Sequence, residues 1–369
     1  MKVKFGVIVL IVFLLCTSFS PLGIGGVADK ILPESFCWCD VDGVDYTPAM
    51  KNQAPAPTCE AYALCDALET KIHYEYGQNF GCDLSEAHLF FYSGGTTDWG
   101  VNVQDAANYL MEYGVPDEGS FPDPHRPYDS PFESVEGWQN RTVKISEWGW
   151  VECEQQAIKE ALIEHGPLVI CMLVRADFNR YTGGIYSPNA GVPVGGHVIT
   201  IVGYDDAQAC WIIRNTWGDS WGEDGYIRVA YDAHSESRPF FRNFYGGTGI
   251  LYVEGIYGNI APNVPKILIE TPDFYKSYIG GQELPILFRN LALFQAGAPR
   301  IIGGLSIELS VEDAERVSLY WDGQFVEEDL SYPFEFDIPR DRGLHCLEVH
   351  AFDADGDISK DIIDVHVLF

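Results

Sequence analysis

The sequence predicts an α+β domain followed by a small all-β sandwich. Three observations lead there. Helical periodicity runs through the first part of the chain, and short β-branched and aromatic runs follow Leu168. A break rich in Pro and Gly at 255–265 then precedes strand-like runs only. The 369 residues suit two domains at roughly 150 residues each. With 47% hydrophobic and 21% charged residues the chain can bury a sizeable core, which argues against intrinsic disorder.

Lys2 and Lys4 precede an apolar run from Phe5 to Cys16, and a softer stretch follows from Thr17 to Ala28. Twelve apolar residues are too few to span a bilayer, so residues 1–28 read as an export signal cleaved somewhere from Ser20 to Ala28. A lipid anchor on Cys16 is the rival reading, opposed by the bulk of Leu15. No later segment has the length and apolarity of a membrane helix, so no span is expected after signal removal. Residues 29–254 form the first expected domain, 255–265 a linker, and 266–369 the second domain.

Within the first domain, Ala61, Leu64, Leu68 and Ile72 share one face of a helix over Cys59–Gly77, with Thr58 as its N-cap. A second helix is expected to open at Asp83 with Glu86 completing a capping box. A third spans Asn102–Tyr113, and a fourth spans Glu154–His165 before the stop signal Gly166-Pro167. Leu168–Val174, His197–Tyr204, Trp211–Asn215 and Tyr226–Tyr231 read as strands of an antiparallel sheet. Helices first and strands second imply two halves with a cleft between them. Beyond the linker, Lys266–Ile269, Ser306–Leu309, Arg316–Trp321, Phe334–Phe336, His345–Phe352 and Ile362–Leu368 read as strands of a sandwich.

The formal net charge is -31, from 23 basic and 54 acidic residues spread along the whole chain. Such a surface repels phosphate backbones and excludes nucleic acid as a partner. Anionic membrane surfaces are disfavoured for the same reason, and the acidity reads as solubility. Of ten cysteines, nine remain once Cys16 leaves with the signal. An odd count in an exported chain points to one working thiol, with eight left for up to four disulfides.

Cys59 at a helix start is where backbone amides and the helix dipole favour an anion, and the thiolate is the nucleophilic form of cysteine. It needs an imidazole partner and a group to hold that imidazole. His197 begins a strand 138 residues later, and Asn215 ends the next strand, 156 residues after Cys59. Cys153 is flanked by Glu152 and Glu154, which oppose a thiolate, so a disulfide or a core role is expected there. No histidines show metal-ligand spacing, and neither metal nor cofactor is implied.

From Tyr46 to Tyr252 the chain resembles the papain-like cysteine proteases. The resemblance is carried by Tyr46-Thr47-Pro48-Ala49-Met50-Lys51-Asn52-Gln53, by Cys59 with Ala61 and Tyr62, and by Tyr181-Thr182-Gly183-Gly184-Ile185-Tyr186. It continues in Gly196-His197-Val198 through Ile201-Val202-Gly203-Tyr204, in Arg214-Asn215-Thr216-Trp217-Gly218, and in Ser220-Trp221-Gly222-Glu223-Asp224-Gly225-Tyr226. It implies a helical left lobe, an antiparallel β right lobe and hydrolysis of peptide bonds in protein or peptide substrates. Cys59 would attack as a thiolate paired with imidazolium His197, Asn215 would orient that ring, and Gln53 with the Cys59 amide would form the oxyanion hole. Trp217 would shield the His–Asn bond from water. Gly100, Cys171, Val198, Trp217 and Trp221 would line the substrate site, with Cys171 near a pocket wall and a core or disulfide role as its open alternatives.

The chain departs from the family in places. The usual Cys-Gly-Ser-Cys-Trp reads Ala56-Pro57-Thr58-Cys59-Glu60, and the Cys-x-Gly-Gly partner reads Asp98-Trp99-Gly100-Val101-Asn102. One structural bridge is thus absent at both ends. Glu60 beside the nucleophile is expected to raise the thiol pKa. Too few residues precede Cys59 for a large propeptide, so none is expected. The last domain resembles bacterial Ig-like modules in Val317-Ser318-Leu319-Tyr320-Trp321-Asp322-Gly323 and in His350–Asp357, which implies attachment to a cell surface or extracellular polymer. Asp353, Asp355 and Asp357 read as a solvated hairpin turn, with a calcium loop as the alternative. Asn140-Arg141-Thr142 is a candidate glycan acceptor. The reading from sequence is a secreted cysteine endopeptidase, and its rival is a catalytically silent peptide-binding or adhesion protein on the same fold.

Overall fold

The computed structural model describes residues 32–77, 82–96, 100–123, 134–187, 192–233, 241, 247–259, 264–273, 276–284 and 298–368. The chain divides into Met1–Leu32 and Pro33–Phe369, and the helices and strands fall in the second unit. The expected export signal, Cys16 and Asp98-Trp99 lie outside the described residues. Among the described residues no helix is long and apolar enough to cross a membrane.

The first strand is β1 (Ser35–Cys37), followed by helices α1 (Cys59–Tyr76), α2 (Glu86–Tyr92) and α3 (Val103–Glu112). Next come β2 (Val115–Pro116), β3 (Thr142–Lys144), β4 (Glu147–Trp150) and helix α4 (Gln155–His165). The sheet is completed by β5 (Leu168–Arg175), β6 (Ile185–Tyr186), β7 (Pro193–Asp205), β8 (Cys210–Arg214), β9 (Tyr226–Ala230) and β10 (Ile250–Glu254). Its order is β4-β10-β5-β7-β8-β9-β6, with β1 also pairing β7. All neighbours are antiparallel except β6 with β9.

Strand alternation divides the interior in two. Successive side chains point to opposite faces of a strand. Val169 and Cys171 of β5 therefore join the core under α1, α2 and α3, while Leu168, Ile170, Met172 and Val174 join the core on the α4 side. Val198 of β7 sits with the first group, and Ile199 and Ile201 with the second. Gly203 lets β1 cross close by, since a Cβ there would lie 2.5 Å from the Phe36 carbonyl oxygen.

The helix starts differ in detail from expectation. Thr58 stands at the N-cap of α1, but its hydroxyl makes no capping bond. The cap of α2 is Ser85 rather than Asp83, its Oγ accepting from the His88 amide at 3.0 Å. Asp83 is drawn instead to Lys51, whose ammonium donates to Asp83, Glu86 and Glu69 at 2.6, 2.7 and 3.0 Å. Asn102 does cap α3, accepting from Gln104 N at 3.0 Å. Of the disulfides expected, the described residues contain one, Cys37–Cys39; Cys59, Cys65, Cys82, Cys171 and Cys210 are thiols. Burial and the two flanking glutamates raise Cys153 to about 11, in line with the expected opposition to a thiolate.

Past β10, the stretch expected to be a linker contributes β11 (Tyr257–Gly258), which pairs with β3. Then follow β12 (Lys266–Thr271), β13 (Ser277–Ile279), β14 (Gln282–Glu283), β15 (Arg300–Ile302) and β16 (Ser306–Glu312). The last strands are β17 (Arg316–Trp321), β18 (Gln324–Asp329), β19 (Phe336–Asp337), β20 (Gly343–Phe352) and β21 (Ile358–Val367). They form a three-stranded sheet, β12-β16-β19, and a seven-stranded sheet, β14-β13-β15-β21-β20-β17-β18, around a third core. The Asp353 carboxylate accepts from the amides of Asp355 and Asp357 and closes the turn between β20 and β21. Arg141, buried, ties this part to the first: it pairs with Asp117 and donates to the Ile358 carbonyl at 2.6 Å.

Helix α1 packs on β7 and is fixed to β8 by the pair Asp66–Arg214, with Nε to Oδ1 at 2.5 Å and side chains 9% and 4% exposed. Arg214 also donates to Tyr226 Oη and to the Ala49 carbonyl. Arg214→Met leaves a buried carboxylate without its partner and is expected to cost about 3–5 kcal/mol in urea unfolding. The double change Asp66→Leu/Arg214→Met is expected to recover most of that.

His88 is fully buried among Tyr92, Tyr109, Phe121 and Trp138, and neither ring nitrogen has a partner among the described residues. Burial holds it neutral by lowering its pKa to about 3, whereas the unfolded chain protonates it near 6.5. The stability gained by keeping it neutral is present above about pH 6.5 and is lost as pH falls toward 3. Between pH 7 and pH 4 the wild type is expected to lose about 3 kcal/mol more than His88→Phe, measured by denaturant titration at each pH.

Candidate active site

Cys59 opens α1 and is 9% exposed. Its thiol donates to Glu60 Oε2 at 3.5 Å, and the nearby Val198 backbone amide favours its charged form. Burial first, then the Glu60 carboxylate, raise its pKa well above the ordinary thiol value. The direction agrees with the expectation from Glu60, but loss of solvent is the larger cause.

His197 precedes Val198 on β7 and is buried. Its Nε2 lies 2.8 Å from Asn215 Oδ1, which also accepts from the Thr216 amide at 2.9 Å. Asn215 follows the end of β8, next to Arg214. Trp217 stacks on the imidazole at 4.9 Å and 26°, and Phe178 packs edge-on against both Trp217 and His197. Burial lowers the His197 pKa to about 4, against a raising contribution from Asn215. Taken singly, each charge is disfavoured here; formed together, thiolate and imidazolium would neutralise one another.

Gln53 is held by backbone pairing between the segments around Lys51 and Trp217: Gln53 N donates to the Thr216 carbonyl at 2.9 Å and Gly218 N to the Lys51 carbonyl at 3.1 Å. Its side-chain Oε1 accepts from Thr216 Oγ1 at 2.5 Å, and Nε2 donates to the Ala56 carbonyl at 3.1 Å. Thr216 thus settles which end of the amide is the donor, a role the sequence reading missed although the residue lies inside a matched motif.

Of the expected substrate-site residues, Cys171 and Val198 are register partners on β5 and β7 and share the α1 side with Cys59. Trp221 packs on Phe178 and Trp217, with its Nε1 buried and without a partner among the described residues. Gly100 lies against Glu60, whose Oε1 is 2.6 Å from where a Cβ would stand. That contact with Glu60 is the second feature sequence reasoning missed, because it joins residues far apart in the chain.

A cysteine opening a helix and a strand-borne histidine bonded to an asparagine are the residue types of a cysteine peptidase site. Residues 32–239 match the papain family cysteine protease pattern, and the chain belongs to that family. Fruit bromelain from Ananas comosus is 25% identical over 240 residues, covering 60% of this chain and 60% of the relative. The gamete and mating-type specific protein A of Dictyostelium discoideum is 29% identical over 199 residues, covering 51% and 42%. Among solved structures, digestive procathepsin L2 proteinase from Tenebrio molitor larval midgut shares the fold with TM-score 0.50 and 22% identity, over 62% of this chain and 70% of that one. The chain thus spans about two-fifths to three-fifths of the length of these two curated relatives.

Proposed function

We propose that the protein is a secreted cysteine endopeptidase that hydrolyses peptide bonds through Cys59 and His197. The observation that carries this reading is the hydrogen bond between His197 and Asn215, with Val198, the residue after His197, packed in the same buried cluster as Cys59. Cys59 passes its proton to His197 and attacks the carbonyl carbon. The oxyanion is met by the Cys59 amide and by the Gln53 Nε2 hydrogen not engaged on Ala56. His197 then gives its proton to the leaving amine, and water enters by the reverse sequence. Asn215 and Trp217 keep the ring in place through both transfers. Gly100, Cys171, Val198 and Trp221 are assigned to the substrate side, and the carboxyl-terminal sheets to an Ig-like attachment module. Export rests on the sequence of the first 28 residues.

The silent-scaffold reading draws support from the buried, protonated Cys59 and its bond to Glu60. One experiment separates the two. An epoxysuccinyl thiol-protease inhibitor is expected to modify Cys59 stoichiometrically, located by mass spectrometry, and to fail with His197→Ala. Absence of labelling in a folded, reduced sample selects the scaffold. In the active enzyme, Thr216→Val releases the Gln53 amide and is expected to lower kcat roughly tenfold with little change in KM, measured on a peptide substrate.

A further inference from the structure

Glu60 plays no part in the reaction proposed above, yet it sits against the reacting sulfur. Its side chain is buried, at 9% exposure. Its carboxylate accepts the Cys59 thiol at 3.5 Å, the nearby Val101 backbone amide favours its charged form, and it occupies the space that any side chain on Gly100 would need. One carboxylate therefore touches both the sulfur and the Gly100–Val101 backbone.

We propose that Glu60 is a positioning residue for the peptidase reaction, holding the thiol proton away from His197 while ionised and releasing Cys59 to pair with His197 once protonated. The inference rests on the reading of Cys59 as the nucleophile. With Glu60 ionised, moving the thiol proton to His197 leaves two adjacent negative charges, thiolate and carboxylate. With Glu60 protonated, the same transfer leaves one, and the Glu60 hydroxyl turns to donate to the sulfur. No proton is gained or lost beyond the one Glu60 takes from solvent.

The titratable groups facing Glu60 are Cys59 on its own helix and Cys171 on β5, while the Gly100–Val101 stretch presents backbone. Cys171, raised to about 12 by burial and by Glu60, stays protonated and does not compete. His197 stands beyond Val198 and supplies the receiving nitrogen. Burial lifts the Glu60 carboxyl to about 7, so the change falls in the neutral range. Activity therefore rises as pH falls through neutrality.

The test compares kcat/KM on one peptide substrate from pH 5.5 to 8.5 in wild type and Glu60→Gln. The wild type is expected to gain about tenfold from pH 8 to pH 6, the effect of roughly one pKa unit of interaction. Glu60→Gln, whose amide donates to the thiolate at every pH, is expected to be flat and to exceed wild type at pH 8. Parallel profiles, whether equal or uniformly lowered, overturn the proposal. A second readout needs no variant: the rate of Cys59 alkylation by iodoacetamide in wild type is expected to show a shoulder on the acid side of neutrality. A single smooth rise toward alkaline pH overturns the proposal as well. Activity retained in Cys59→Ala instead overturns the assignment of the nucleophile, which keeps the two failures apart.

Discussion

The seating of α1 on the central sheet is the constraint on which the site depends. Cys59 is on the helix, His197 is on a strand of the sheet and Asn215 follows the end of the next strand, so any slip of helix against sheet moves them relative to one another. A buried ion pair, Asp66–Arg214, spans that seam. Its desolvation is costly, and such pairs often contribute little net stability. It joins helix to sheet next to the candidate site: Arg214 is the residue before Asn215, whose Oδ1 meets the His197 ring.

Burial sets the electrostatics of the site more than any single neighbour does. It lifts Cys59 and Glu60 and lowers His197, so each group is biased to its neutral form. A dry setting of this kind strengthens the attraction between opposite charges once they form together. The aromatic wall of Phe178, Trp217 and Trp221 maintains the dryness around the ring.

Much of this was legible in the chain. The start of α1 at Cys59, the strand carrying His197, the strand that ends just before Asn215, and the stop at Gly166-Pro167 follow from local periodicity and end signals. What failed was whatever depends on distant partners. Asp83 looks like a cap, but Lys51 claims its carboxylate and Ser85 caps instead. Strand β18 escaped notice because Gln324–Asp329 lies at a sheet edge, mostly exposed, and lacks apolar alternation. The short strands β13, β14 and β15 carry too few residues to show a period. The count of cysteines predicted up to four bridges, yet Cys65 and Cys171 are spent as small core residues. The meeting of Glu60 with Gly100 has no local signature at all.

The long reach of β7 has a consequence for biosynthesis. Its far end pairs with β1, so Ser35 waits for Asp205, and β10 enters between β4 and β5 only when residues 250–254 exist. Contacts so distant in sequence form late and slowly. A chain still emerging from the ribosome would hold Cys59 on a helix before the strand that carries His197 has been made. The order of synthesis thus delays assembly of the helix carrying Cys59 with the strand carrying His197 until the sheet is nearly complete.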